Sequence, residues 1–263
     1  MTIPATQHDA RCVSWSSDDP TRCTCRDEQG HAPWCDGPWL AFDTESTGVD
    51  VTADRIVTAT VITFRPGGGI TARSWLADPG IDIPEAAAAV HGVTTEHARQ
   101  HGRPAAEVVA EIASHLAAHW TPACPLIGYN ASYDLSILAA ELARHGHDPL
   151  TLHGPVVDPL VIDRGADRYR RGSRKLVDVA RHYGIVLTDE QAHSADADAL
   201  AAARVAWKLA KTYPAEVGGL TLAELHEQQK EWHLAWADNF GAYLVKQGKT
   251  DDVARDWPMR AGA

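Results

Sequence analysis

The sequence lacks several features that would assign it to common classes of protein. It contains no run of about 18 apolar residues, so we expect no membrane-spanning helix and no membrane partner. Its first residues have neither a basic start nor an apolar stretch, so they do not resemble a secretory signal. It also has no helicase, polymerase or ligase motif, and any such activity would come from another chain. These absences favour a cytoplasmic protein.

Positive charge is scarce as well. The chain has 24 Lys and Arg residues against 35 Asp and Glu residues, for a net charge of −11. This balance argues against a broadly basic surface for nucleic acid, although metal ions and one local basic strip could still hold it. The 263 residues, 44% of them hydrophobic, suit one medium domain with appendages or two small domains.

Cysteine is rare outside the first 35 residues, which contain four of the five cysteines. A reducing compartment disfavours a disulfide framework there. Three or four of these thiolates, with His31, could hold a structural zinc ion, but the Cys-x-Cys spacing is not the usual Cys-x2-Cys. A loosely ordered extension with free thiols explains the same residues, so both interpretations stay open. The candidate zinc ligands are Cys12, Cys23, Cys25 and Cys35.

The pattern of apolar residues divides the chain into three parts. Residues 1–38 form a polar extension, 39–212 a domain, and 213–263 a helical tail. The domain begins with three predicted strands, at 39–45, 55–64 and 70–76. Helices are predicted over 104–120, 134–145, 176–183 and 195–212, and short strands over 125–129 and 154–160. This order predicts an α/β fold with a mixed sheet, three antiparallel strands followed by parallel strands, flanked by helices.

The tail carries a clear helix start. Thr221 and Glu224 have the spacing of a capping box, which predicts a helix that could extend to Gly248. Its larger side chains lie near one face: Leu225, Trp232, Trp236, Phe240 and Tyr243. This face could pack on the domain core, or it could dock a protein partner or a second copy of the chain.

Asp43 and Glu45 end an apolar strand in the sequence Leu-Ala-Phe-Asp-Thr-Glu-Ser-Thr-Gly. Because side chains alternate along a strand, both carboxylates lie on one face. Two neighbouring anions resist ionisation, and a bound divalent cation removes that penalty. Carboxylate oxygens are the ligands that Mg²⁺ and Mn²⁺ prefer, so the pair predicts a metal site.

Two later segments add further polar candidates. Asn130 and Asp134 are four residues apart, so they share one face if a helix begins near Asn130. Asn130 could instead cap that helix, and Asp134 could be an acid favoured by the helix dipole. His193 is expected in a loop and Asp198 in the first turn of the next helix. The imidazole of a histidine such as His193, with an ordinary pKa of about 6.5, suits a general base that deprotonates water.

Together these segments resemble the three motifs of the DEDDh group of 3′–5′ exonucleases, which includes the proofreading epsilon subunit of bacterial replicative polymerase. The flanking sequences agree, including Val-His-Gly-Val-Thr at residues 90–94, and the resemblance covers roughly residues 39–211. It implies a ribonuclease H-like fold, two Mg²⁺ or Mn²⁺ ions and release of nucleoside 5′-monophosphates from a 3′ end. It also implies roles: Asp43 bridges both ions, Glu45 and Asp198 hold the ion that positions water, Asp134 helps hold the second ion, and His193 takes the proton.

The resemblance and the distribution of charge also suggest which residues contact the substrate. Residues near the 3′ nucleotide would be Thr47, Gly48, His91 and Asn130. A basic strip could neutralise phosphates through Arg164, Arg168, Arg171 and Lys175. Because Asp163 and Asp167 are interspersed, a solvated, salt-bridged segment is the alternative for this strip. Asp158 and Asp196 lie near the motifs but match no motif position, although Asp158 could support a residue of the site.

Three functions remain open from the sequence. The first is a 3′–5′ exonuclease that acts on single-stranded DNA ends in proofreading or repair. The second is an RNA exonuclease acting on short oligoribonucleotides or RNA 3′ ends, because contacts to the 2′-hydroxyl cannot be read from the sequence. The third is a non-catalytic nucleic-acid-binding or partner-docking subunit, which the intact set of five catalytic positions disfavours.

Overall fold

The structure, a computed structural model, describes residues 34–67, 69–186, 194–250, 252–260 and 262. Four of the predicted site residues, His193, Cys12, Cys23 and Cys25, therefore lie outside the described residues. None of the helices in the described ranges has the length and apolar character needed to cross a membrane.

A six-stranded mixed sheet forms the centre of the molecule. Its strands are β1 (Trp39–Ser46), β2 (Ile56–Arg65), β3 (Gly69–Asp78), β4 (Arg103–Pro104), β5 (Leu126–Ile127) and β6 (Val156–Val157). They are arranged in the order β4-β3-β2-β1-β5-β6. The β1–β2 and β2–β3 pairs are antiparallel, whereas β1–β5, β5–β6 and β3–β4 are parallel. The predicted sheet, three antiparallel strands followed by parallel strands, is confirmed.

Helices cover both faces of this sheet. The helices are α1 (Glu85–His91), α2 (Thr95–His101), α3 (Ala105–His119), α4 (Ala131–Arg144), α5 (Pro159–Ala166), α6 (Leu176–His182), α7 (Ala195–Thr212) and α8 (Leu222–Lys246). One hydrophobic cluster joins the sheet to α3 and α4, and a second joins it to α5, α6 and α7. Along β1, Leu40 and Phe42 belong to the first cluster, whereas Trp39 and Ala41 belong to the second. Side chains on the two faces of β1 therefore pack into the two hydrophobic clusters on opposite sides of the sheet.

The segment after β6 differs from the sequence prediction. A strand is expected over 154–160, but the chain leaves the sheet after Val157 and begins α5. The buried Asp158 accepts hydrogen bonds from the backbone N–H groups of Leu160 and Val161, and Pro159 occupies the first helical position. An N-cap followed by proline starts a helix because both satisfy the requirements of its first turn.

The C-terminal segment packs on the sheet domain. Thr221 and Glu224 form the predicted capping box, and α8 extends over 25 residues. It packs against α5, and Trp232 contacts both hydrophobic clusters. Beyond α8 the chain returns, and Trp257 is buried in the cluster that contains α3 and α4. The C-terminal helix is therefore confirmed, while the boundary at residue 212 stays a prediction.

Candidate active site

Three carboxylates from two elements converge at the end of β1. Asp43 and Glu45 come from alternate positions of the strand, and Asp198 comes from the first turn of α7, which packs across β1. One ligand atom from each of the three lies within 4.8 Å of the others, and all three side chains are partly exposed. The structure thus brings together residues that are more than 150 positions apart in the chain.

A fourth carboxylate, Asp134, lies on the α4 side of the same strand end. Its Oδ1 accepts hydrogen bonds from the Thr44 backbone N–H at 2.9 Å and from the Thr44 hydroxyl at 2.7 Å. Thr44 lies between Asp43 and Glu45, so its side chain faces the opposite side of the strand and reaches α4. Both bonds use the same oxygen of Asp134 and fix the orientation of its carboxylate.

Burial and mutual repulsion dominate the electrostatics of this cluster. Desolvation raises the pKa of Asp43 well above its usual range, and the charges of Asp134, Asp198 and Glu45 add to the effect. Desolvation and Asp198 raise the pKa of Glu45 to about 7. Desolvation also raises the pKa of Asp134 to about 7, against the opposing hydrogen bonds from Thr44. The cluster therefore carries a penalty at neutral pH that a cation would remove.

The donor set fits a hard divalent metal. It consists of carboxylate oxygens, which are the usual ligands of Mg²⁺ and Mn²⁺, and it has neither a thiolate nor an imidazole among the described members. Asp43, Glu45 and Asp198 are close enough to share an ion, and Asp134 adds charge from the other side of β1. Asp43, Glu45 and Asp198 are thus assembled in one place, and Asp134 lies near enough to raise the pKa of Asp43, while the individual roles of these residues stay predictions.

Asp158 holds the element that carries Asp134. Its carboxylate accepts hydrogen bonds from the backbone N–H groups of Asn130 and Ala131, each at 3.0 Å. Asn130 has a left-handed backbone with φ of 63° and makes no side-chain cap, so Asp158 takes the capping role that the sequence offered to Asn130. Asp158 in turn receives the Trp257 indole N–H at 3.4 Å. The C-terminal segment is therefore connected to the start of α4.

The loop after β1 contains two of the predicted substrate contacts. The Thr47 hydroxyl is buried, donates to Asp54 at 2.8 Å and accepts from the Arg55 backbone N–H at 3.0 Å. The Gly48 carbonyl accepts from Tyr133 at 2.5 Å. A Cβ at Gly48 would come within 2.5 Å of the Asp54 carboxylate, so glycine allows this close approach. Both residues shape the loop beside Glu45, and a contact with substrate stays a prediction.

His91 lies at the end of α1 and lines a small pocket below Glu45, with a volume of about 370 Å³. Its Nδ1 accepts a hydrogen bond from the Val93 backbone N–H at 3.2 Å, and burial lowers its pKa. The opposite wall is formed by Asp196, which accepts from Thr60 and, at 2.8 Å, from Ser74. Asp196 is thus used in the pocket wall, and the pocket places His91 close to the cluster.

The basic strip is divided between two environments. Arg170 and Arg174 each pair with the buried Asp163 at 2.5 Å, as the salt-bridged alternative predicts for this segment. The four predicted phosphate contacts lie in other environments. Arg164 is partly buried and lies over the ring of Trp236, while the others are exposed. The exposed members are Arg168, Arg171 and Lys175.

The described member of the zinc candidates, Cys35, is buried in a short 3-10 helix beside Trp34. Burial raises the pKa of its thiol to about 12, which favours the neutral form rather than the thiolate that binds metal. The other three cysteines lie outside the described residues, so the zinc site stays a prediction.

The sequence analysis missed Thr44 as a positioning residue and left the role of Asp158 open. Thr44 is the middle residue of the Asp-Thr-Glu motif, and strand alternation alone indicates that its hydroxyl faces away from the metal side. Asp158 followed by proline has the pattern of a helix cap, which was the available signal for its role. Their contacts with Asp134 and Asn130 depend on the packing of distant segments.

The comparisons with known proteins agree with this geometry. The Exonuclease family model matches residues 40–206, more than half of the chain. A PolC-type DNA polymerase III from Lacticaseibacillus paracasei is 25% identical over 190 residues, which cover 72% of this chain and 12% of the polymerase. A DNA polymerase III subunit epsilon-like protein from Rhodobacter capsulatus is 27% identical over 222 residues, covering 83% of this chain and 27% of that protein. The chain spans a small part of these relatives.

A solved structure shares the fold. E. coli exonuclease I in complex with a dT13 oligonucleotide superimposes with a TM-score of 0.57 and 20% identity, covering 68% of this chain and 42% of that protein. The resemblance to DEDD-type exonucleases that the motifs predict is therefore confirmed at the level of family and fold. The family model matches residues 40–206, and the three grouped carboxylates lie within that range. The chain therefore belongs to the exonuclease family.

Proposed function

We propose that this protein is a metal-dependent 3′–5′ exonuclease that releases nucleoside 5′-monophosphates from the 3′ end of single-stranded DNA. The convergence of Asp43, Glu45 and Asp198, with oxygens within 4.8 Å, is the observation that carries the proposal. A cluster of carboxylates without compensating cations is unfavourable by itself, and its arrangement at the end of a strand suits two-metal phosphodiester hydrolysis.

Each residue has a distinct task in this proposal. When bound, two Mg²⁺ or Mn²⁺ ions supply an activated water and stabilise charge on the leaving 3′ oxygen. Asp43, Glu45 and Asp198 would hold the ions, and Asp134, whose orientation Thr44 fixes, would help to hold the second ion. His193, outside the described residues, would take the proton from the attacking water. In this proposal, the terminal nucleotide would contact His91, which lines the pocket beside Glu45, and the Thr47–Gly48 loop that follows Glu45.

The nature of the relatives favours DNA. The curated relatives are named as DNA polymerase III proteins, and the solved structures of exonuclease I hold DNA oligonucleotides. Their larger size leaves the pathway of this chain open, and proofreading and repair both use this activity.

Digestion of 5′-labelled single-stranded DNA and of matched RNA, each with Mg²⁺ or Mn²⁺, tests the proposal. We expect a ladder that shortens from the 3′ end of DNA, and no ladder from an Asp134→Ala variant. The Asp148→Ala variant is a matched control, because it removes an exposed acid that lies outside the carboxylate cluster and outside the pocket beside it. Retention of full activity by Asp134→Ala, or cleavage of neither polymer by the wild-type protein, would overturn the proposal. Preferential digestion of RNA would change the substrate class.

A further inference from the structure

A groove outside the carboxylate cluster lies between two segments that are far apart in the sequence. One wall comes from α5 and the arginine-rich segment after it, and the other comes from α8, which lies beyond the family match. The groove has a volume of about 840 Å³, within the range of ligand sites. Gly165 allows the close packing of these walls, since a Cβ there would come within 2.1 Å of the Trp232 ring.

The charge in this groove is opposite to that of the whole protein. Its lining includes Arg164, Arg168, Arg170 and Arg174 and contains no acidic residue among those described. Arg170 and Arg174 are paired with Asp163, but Arg164 and Arg168 form no ion pair within the described ranges. In a chain with a net charge of −11, this groove is therefore a local site for an anion.

A row of aromatic side chains continues from the arginines along α8. The guanidinium carbon of Arg164 lies 3.7 Å from the ring centre of Trp236. The Trp236 and Phe240 rings stack with centres 5.4 Å apart, and Phe240 stacks with Tyr243 at 6.2 Å. Phe240 is 38% exposed and Tyr243 is 54% exposed. The row therefore presents flat apolar surface to solvent beside Arg164 and Arg168, for which the described residues provide no ion pair.

The groove is linked to the proposed active site through the turn before α4. The Tyr129 hydroxyl donates a hydrogen bond of 2.6 Å to the Arg174 carbonyl, which fixes the arginine segment to the turn before α4. Asp134 lies five residues beyond Tyr129, in the first turn of that helix. A strand whose 3′ end reaches the carboxylates could therefore continue towards the groove.

We propose that this groove binds single-stranded nucleic acid on the 5′ side of the nucleotide being removed. Phosphates would contact Arg164 and Arg168, and bases would stack on the exposed part of the Trp236–Phe240–Tyr243 row. A polymer that alternates anionic and flat aromatic groups matches this combination, as in other single-strand binding surfaces. An acidic peptide could form ion pairs with the arginines, but it lacks a regular series of flat groups that would stack on the three aligned rings. The inference rests on the proposed function and extends it to substrate length.

Length-dependent kinetics test the groove separately from the chemistry. The full chain and its Phe240→Ala and Arg168→Ala variants would digest labelled oligothymidylates of about 3 and about 15 nucleotides, a range that single-strand binding folds can distinguish. For Phe240→Ala, we expect the ratio of kcat/KM for the long substrate to that for the short one to fall about tenfold, the order expected for loss of a stacked base. Tyr243→Ala, at a more exposed position, repeats this test if Phe240→Ala fails to fold.

The salt dependence distinguishes the two kinds of contact. Arg168→Ala should reduce the slope of log KM against log salt by about 0.7, the value for one phosphate contact with a single strand. Phe240→Ala should leave that slope unchanged. The matched controls are Arg181→Ala, which removes an exposed arginine of α6, and Leu234→Ala, which removes an exposed apolar side chain of α8. Neither should change the length ratio or the slope.

The outcomes separate this inference from the proposed function. If the wild-type protein digests neither substrate, the proposed function fails and the groove proposal fails with it. If it digests both while Phe240→Ala, Tyr243→Ala and Arg168→Ala retain the wild-type length ratio, the groove proposal alone is wrong. Loss of binding to a labelled acidic, aromatic peptide in Phe240→Ala, with an unchanged length ratio, would identify a protein-docking surface instead and also overturn it.

Discussion

Replacing Glu45 by glutamine tests whether repulsion within the carboxylate cluster destabilises the metal-free protein. Burial and the nearby Asp198 raise the pKa of Glu45 from its ordinary value of 4.5 to about 7. The folded protein therefore binds this proton more tightly than the unfolded chain does. The contribution of Glu45 to the free energy of unfolding decreases as the pH rises from about 4.5 to about 7, and it stays low at higher pH.

The size of this effect follows from the same pKa. At about 1.4 kcal/mol per pH unit, a rise from 4.5 to about 7 corresponds to roughly 3 kcal/mol as an upper limit. Partial exposure of Glu45 screens the charge and reduces the expected effect to about 1–2 kcal/mol. For a protein of this size, Glu45→Gln should raise the Tm by about 2–8 °C at pH 8 in the absence of metal. Most of this difference should disappear near pH 4.5.

Thermal unfolding in EDTA, at both pH values, measures the difference between Glu45→Gln and the wild-type protein. Addition of Mn²⁺ should then stabilise the wild-type protein by about 2.7 kcal/mol at a hundredfold excess over Kd, and the variant less. Glu96→Gln is the matched control, because Glu96 is an exposed residue of α2. A metal-free Glu45→Gln protein that is less stable than the wild type at pH 8 would refute the reasoning.

Two further predictions concern the residues that position the cluster. Asp158→Asn should lower the free energy of unfolding by about 2–4 kcal/mol, measured by denaturant titration, because an amide cannot accept the N–H groups of both Asn130 and Ala131 as a carboxylate does. An unchanged denaturation midpoint would contradict this. Thr44→Val should reduce kcat about tenfold with little change in KM, since it removes the hydroxyl donor to Asp134 while preserving shape. Thr44→Ser should restore kcat, and equal rates for Thr44→Val and the wild type would show that this bond is dispensable.

The parts of the molecule that depend on local pattern were predictable from the sequence. The alternation of β1 places Asp43 and Glu45 on one face without any knowledge of the remaining chain. The bounds of α7 agree with the predicted 195–212, because its apolar residues recur over five turns. The capping box likewise defines the start of α8 from two residues three positions apart.

The parts of the molecule that depend on long-range packing could not be predicted from the sequence. Of the four described α-helices with seven or eight residues, α6 was predicted, but α1, α2 and α5 were not, because so few residues give only a weak periodic pattern. The hydrogen bond from Trp257 to Asp158 joins residues 99 positions apart, so the local sequence around either residue does not predict it. The groove arises in the same way, because Arg164 and Trp236 meet only when α8 packs on α5.

Anomalous diffraction from crystals grown with Mn²⁺ and a nucleoside 5′-monophosphate would test the central claim most directly, namely that the four carboxylates form a two-metal site. The account predicts two manganese peaks in contact with carboxylate oxygens of Asp43, Glu45, Asp134 or Asp198, with the phosphate of the nucleotide beside them. Crystals in which the nucleotide and manganese bind elsewhere, with no peak at these carboxylates, would contradict it.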